Sequence, residues 1–211
     1  EKNVAKCYST WGKTYYDEYY SEKAPYPPVH RDLLIRLLKK HSPKAMLDAG
    51  CGPASFLRDI THLDWELYGF DLTPEMVQEG KRIITKKNIA AERIWEGSVL
   101  INDDFQNPTD KKSTYDAVTC VGVLPHIPEN SDQVVLKNIY SSLNPGGVAL
   151  VEARNQWFAL FTLNRYSFEF FEKELIRVDT LKERAGENDL EFNKTLEEMK
   201  QQFRMDLPPL R

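Results

Sequence analysis

Between residues 29 and 154 the chain switches repeatedly between two hydrophobic periods. Leu33, Leu34, Leu37 and Leu38 recur at helical spacing behind Pro27-Pro28, a combination that predicts a helix start. Ala45-Met46-Leu47 is a short apolar run that stops at a glycine-rich turn, so it reads as a buried strand. Phe56, Leu57, Ile60 and Leu63 return to the helical period. Residues 65–70 alternate as a second strand ending at Asp71. Thr73-Pro74 then supplies an N-cap and a proline at the first helical position, ahead of Met76, Val77, Ile83 and Ile84. Residues 93–96 predict a third strand and residues 115–121 a fourth. A helix through Val135, Leu136, Ile139 and Leu143 follows. Asn144-Pro145-Gly146-Gly147 predicts a turn, and residues 148–151 a fifth strand. Strands separated by helix-length segments imply βαβ units, hence an α/β fold with a doubly wound, mainly parallel sheet.

The flanks differ in texture. Residues 1–28 are rich in tyrosine (Tyr8, Tyr15, Tyr16, Tyr19, Tyr20, Tyr26) and carry Trp11. Residues 157–171 are dense in aromatics, and residues 172–211 are highly charged. Phe192, Leu196, Met199 and Phe203 step at helical spacing, one apolar stripe with a charged opposite face. The expected organisation is a core with an aromatic N-terminal cap over 1–154 and a helical lid or extension over 155–211. The 190–203 helix is expected to dock on this domain, on a partner or on a second copy. Both aromatic flanks are expected to build a largely apolar pocket, with Asn155, Arg165 and Tyr166 as polar anchors.

Charge narrows the function classes. The formal net charge is −4, which argues against a nucleic-acid footprint and against an anionic membrane surface. No apolar run reaches the ~20 residues of a membrane span. The first residues, Glu1-Lys2-Asn3, lack the apolar segment of a signal peptide. Three scattered cysteines (Cys7, Cys51, Cys120) do not form a disulfide pattern, and the expected location is cytoplasmic.

In a parallel sheet, ligands bind beyond the carboxyl ends of the strands. The first strand runs into Asp48-Ala49-Gly50-Cys51-Gly52-Pro53-Ala54. Glycines two apart permit a tight turn and close approach of a ligand to the backbone, and a helix then begins. Asp71 ends the second strand about 20 residues later, the spacing at which a carboxylate reaches both hydroxyls of a ribose.

These residues resemble the class I S-adenosylmethionine-dependent methyltransferases. The likeness rests on Leu47-Asp48-Ala49-Gly50-Cys51-Gly52, on residues 69–76, on the fourth-strand segment 115–127 and on the turn at 143–147. It covers about residues 44–154. It implies a Rossmann-like sheet of order 3-2-1-4-5, S-adenosylmethionine as cofactor and a small-molecule acceptor. The implied cofactor set has the methionyl part near Asp48, Gly50 and Gly52, the ribose on Asp71, and the adenine between Leu72 and Val99. Cys51, Ala54, Met76, Ser98, Gly122 and Leu124 complete it, and Arg31 is a candidate for the cofactor's carboxylate. Ala54 stands where the family often has a third glycine, and Ser98 where it often has an aspartate. The family's closing hairpin has no clear counterpart after residue 155; residues 174–178 are one strand candidate.

His126 is the titratable side chain that the resemblance brings near the transferred methyl. It is a candidate general base for a hydroxyl or amine, the alternative being a loop-shaping role. No metal is expected, because His30, His41, His62 and His126 are dispersed. Cys51 and Cys120 read as small apolar fillers as well. Two alternatives to a methyltransferase are an NAD-dependent dehydrogenase, which the glycine turn and Asp71 also suit, and a cofactor-binding regulatory protein without catalysis.

Overall fold

The computed structural model describes residues 31–153, with 193–195 and 198. The chain divides into two compact units, Glu1–Ala153 and Arg154–Arg211, and every described strand lies in the first. Helix α1 (Arg31–His41) buries Leu34 and Leu38, one turn apart, while Leu33 stays 46% exposed. Strand β1 (Ala45–Ala49) is buried along its whole length. The short helix α2 (Ser55–Asp59), strand β2 (Glu66–Asp71) and helix α3 (Pro74–Thr85) follow. Strand β3 (Ile94–Glu96), strand β4 (Tyr115–Cys120), helix α4 (Asp132–Ser141) and strand β5 (Leu143–Val151) complete the order.

The sheet order is β3-β2-β1-β4-β5 with every neighbour parallel, the order that the family resemblance implies. Successive strand residues point to opposite faces, so each strand feeds two cores. Ala45, Leu47 and Ala49 join Tyr68, Phe70, Trp95, Phe105 and Tyr115 on one face. Met46 joins Leu38, Leu57, Ile60, Leu67, Val77 and Ile84 on the other. Each large apolar side chain buried this way contributes roughly 1.5–3 kcal/mol. The Phe70 and Phe105 rings meet edge-on, with centroids 5.0 Å apart.

Asp116 ties the sheet's amino edge together. Its Oδ2 accepts the Lys44 and Ala45 N–H groups (2.9 and 3.0 Å), and its Oδ1 accepts Asn144 Nδ2 (2.8 Å). The Asn144 amide beside it, with the two backbone donors, holds the carboxyl below its ordinary value.

Three elements differ from expectation. The helix expected through Leu63 ends at Asp59, where Thr61 Oγ1 donates to the Arg58 carbonyl and competes with the helical ladder. The helix expected through Leu143 ends at Ser141, leaving Leu136 47% exposed on α4. The turn expected at Asn144–Gly147 lies inside β5. The register steps from Tyr115↔Leu143 to Ala117↔Val148, so the extra residues form a bulge, with Gly146 at φ 81°. The aromatic flanks, the anchors Asn155, Arg165 and Tyr166, and the 174–178 strand candidate lie outside the described residues. Of the 190–203 stripe, residues 193–195 and 198 are helical, with Lys194 3.8 Å from Glu198.

Candidate functional site

The carboxyl edge of the sheet is organised around the turn after β1. Gly50 has φ 82°, and a Cβ there would lie 2.3 Å from Val123 Cγ2, so only glycine fits beneath the loop that follows β4. The Gly50 and Cys51 N–H groups both donate to the Phe70 carbonyl at 2.9 Å, which ties the turn to the end of β2. Ala54 adopts the left-handed conformation (φ 56°) that a glycine would take freely, a cost of about 1–2 kcal/mol. Gly80 of α3 brings that helix close to the turn: a Cβ there would meet Ala54 Cβ at 3.3 Å.

Two carboxylates flank the turn. Asp48 is 6% exposed, and Thr119 Oγ1 donates to its Oδ1 at 2.6 Å. Burial pushes Asp48 up to about 6; the Thr119 proton opposes this, and the Asp71 charge adds to it. Asp71 is half-buried at the end of β2. Its Oδ2 accepts the Gly52 N–H (2.8 Å) and its Oδ1 the Thr73 N–H (2.9 Å). Burial raises Asp71 too, against the pull of the Thr73 and Gly52 donors. The Thr73 side chain also bonds to this carboxylate, so Asp71 is held by three donors from the two turns it joins. Among the described residues neither aspartate forms an ion pair.

Acidity continues along the edge. Glu96 ends β3, in register with Asp71. Glu152 follows β5, and its Oε2 accepts the Gly122 N–H at 2.9 Å. Gly122 is exposed, with φ 71°, and leads into the turn Leu124–His126, in which the His126 N–H donates to the Val123 carbonyl (2.9 Å). Leu124 and His126 are half-buried there.

The other expected site residues are placed as follows. Leu72 is half-buried directly after β2, whereas Met76 (2% exposed) and Val99 (6%) are packed into the interior. Ser98 Oγ accepts the Leu100 N–H (3.1 Å), and the Ser98 N–H donates to Asp104 Oδ2 (2.8 Å). Cys51 and Cys120 are buried; burial raises the Cys51 thiol strongly and the Cys120 thiol to about 12, so both are protonated fillers. The Arg31 guanidinium meets Asp32 (3.0 Å) and Asp59 (3.5 Å), its acidic neighbours on α1 and α2. Among the described residues no group of three or more His, Cys, Asp or Glu could hold a metal ion.

Thr119, Asp104 and Glu152 were not legible as site-edge residues. Each is defined by a partner on another segment: Asp48, Ser98 and Gly122 respectively. The one available signal was a polar Thr119 inside an otherwise apolar strand end.

A doubly wound sheet whose carboxyl edge carries a glycine turn between two acids defines a class of ligand-binding α/β proteins. A family model described as a methyltransferase domain matches residues 16–194, and the chain belongs to that family. A demethylmenaquinone methyltransferase from Geobacillus sp. (strain WCH70) is 27% identical over 120 residues, which is 56% of this chain and 48% of the relative. The chain therefore spans about half the length of that curated relative. An S-adenosylmethionine-dependent methyltransferase from Clostridium acetobutylicum ATCC 824 has a similar structure. Its TM-score is 0.56 at 17% identity, covering 75% of this chain and 62% of that one. The PH0226 protein from Pyrococcus horikoshii OT3 superposes with a TM-score of 0.54 at 18% identity, covering 74% and 68%. At these identities the two structures speak for the fold. No described helix is long and apolar enough to cross a membrane.

Proposed function

We propose that the chain is an S-adenosylmethionine-dependent methyltransferase acting on a hydroxyl or amine of a small molecule. The observation that carries this is the pair Asp48 and Asp71. They flank a glycine turn, Asp48 buried and Asp71 half-buried, and have no cationic partner among the described residues. Buried carboxylates without a counter-charge are costly, and a cationic ligand relieves that cost. When bound, the cofactor supplies a methyl group on positively charged sulfur for in-line transfer to the acceptor.

In this reading Asp48, Gly50, Cys51 and Gly52 line the methionyl part, with Ala54 and Met76 supporting the turn. Asp71 takes the ribose hydroxyls at the end of β2. Leu72 and Val99 border the adenine beside Ser98. Gly122 and Leu124 complete the cofactor set, and His126 removes the acceptor's proton. The Geobacillus relative is named for a demethylmenaquinone, and a small-molecule acceptor here agrees with that.

The test is calorimetric titration with S-adenosylhomocysteine and S-adenosylmethionine. Transfer of labelled methyl to a panel of hydroxyl and amine acceptors completes it. Binding in the micromolar range with transfer to a panel member is expected. Absence of binding to either compound at millimolar concentration would overturn the reading.

A further inference from the structure

Thr119 and Asp48 are direct partners across the parallel pair β1–β4. Residues in register on neighbouring strands project to the same face, here the face of Met46 and Ala117. That face is apolar along the strands and turns polar at its carboxyl end, where Asp48 and Thr119 sit with Asp71 and Glu96. The threonine hydroxyl has a single proton. It lies 2.6 Å from Asp48 Oδ1 and 3.5 Å from the Leu47 carbonyl, so the proton goes to the carboxylate. Thr119 itself is fully buried. A valine would fill the same volume and suit a strand equally well, so packing does not explain the hydroxyl.

We propose that Thr119 is a positioning residue for cofactor binding: its hydroxyl, donating to Asp48 Oδ1 across β1–β4, keeps that carboxylate anionic for the cationic methyl donor. The proposal rests on the methyltransferase reading above. The titratable groups that bear on Asp48 are Asp71 from β2, the Cys51 thiol from the turn and the Cys120 thiol from β4. None is cationic, so the Thr119 proton is the donor that favours the charged carboxylate from within the described fold. Burial already pushes Asp48 up to about 6, and loss of the donor raises it further.

The experiment uses the 211-residue chain and its Thr119→Val and Thr119→Ser variants. Asp48 is titrated by carboxyl NMR without ligand, and S-adenosylmethionine affinity is measured between about pH 5 and pH 9. A charge-assisted hydrogen bond corresponds to a shift of about one unit. In Thr119→Val the Asp48 midpoint rises by about that much. Affinity falls about fivefold near pH 6 and less than twofold near pH 9. Thr119→Ser keeps the proton donor and the parent midpoint. An unchanged midpoint in Thr119→Val, or an affinity loss equal at every pH, overturns the positioning role. If Thr119→Val does not fold, a raised midpoint in Thr119→Ser would likewise overturn it. Failure of the parent chain to bind S-adenosylmethionine overturns the underlying reading instead, and the ligand-free titration tells the two failures apart.

Discussion

Asp48 is a residue whose burial works against the fold and in favour of a ligand. Its carboxyl titrates near the ordinary value of about 3.8 in the unfolded chain and near 6 in the folded one. Between those values the folded state holds the extra proton. The contribution of Asp48 to stability is therefore highest below pH 4, falls as pH rises toward 6, and stays lowered above that. A shift of this size corresponds to about 3 kcal/mol at most. Asp48→Asn should consequently stabilise the ligand-free chain by about 1–3 kcal/mol near pH 7.5 and flatten its stability between pH 4 and 6. Denaturant unfolding near pH 4.5 and pH 7.5 measures both. Loss of stability in the variant at the higher pH would mean that the Asp48 charge supports the fold. Asp71 behaves differently because it also joins two turns. Asp71→Ala leaves the Gly52 and Thr73 N–H groups without their acceptor, costing roughly 1–3 kcal/mol each where they remain shielded from water. Cofactor affinity should fall at least about tenfold through loss of the ribose contacts. Titration calorimetry with S-adenosylhomocysteine, paired with a melt, separates the two effects. Unchanged affinity would remove Asp71 from the site.

At the scale of elements, the turn after β1 is held by three neighbours: the Phe70 carbonyl, the Asp71 carboxylate and the Val123 side chain. Gly50→Ala combines a left-handed alanine, costing about 1–2 kcal/mol, with displacement of Val123. The expected result is a less stable chain with strongly weakened cofactor binding. A crystal structure of the variant with the turn unmoved would contradict it. The turn's position was legible in the sequence, because its glycines directly follow a short buried strand. So was Asp71 at the end of β2, while the strand order followed from the family resemblance. What escaped has a common cause: it depends on register with a distant segment. The Asn144–Gly147 stretch has turn composition, yet it bulges within β5 because Asp116 holds Asn144 and β4 fixes the residues beyond it. Thr119 looks like any β-branched strand residue until β1 is laid beside β4. Local pattern finds elements and turns; pairing across the sheet decides which polar atoms remain for a ligand.

For the molecule as a whole, charge discriminates between the two nucleotide-like ligands that a glycine turn and a strand-end acid could serve. The chain carries a net charge of −4, and Asp48, Asp71, Glu96 and Glu152 line one edge of the sheet. A dinucleotide would bring a pyrophosphate to that edge, against four carboxylates and without a described cation paired to Asp48 or Asp71. S-adenosylmethionine brings a sulfonium and an ammonium, which those carboxylates favour. A ligand at about 100 times its dissociation constant stabilises the fold by about 2.7 kcal/mol. For a chain of this size that is roughly 5–11 °C in melting temperature. The expected outcome is a shift of that order with S-adenosylmethionine and none with NAD. The shift should shrink when the pH is lowered through about 6, where Asp48 takes up its proton. Added salt should reduce it less than acid does, because the carboxylates lie partly or wholly inside the protein, where screening is weak. A melting shift with NAD and none with the sulfonium compound would reverse the assignment of the edge.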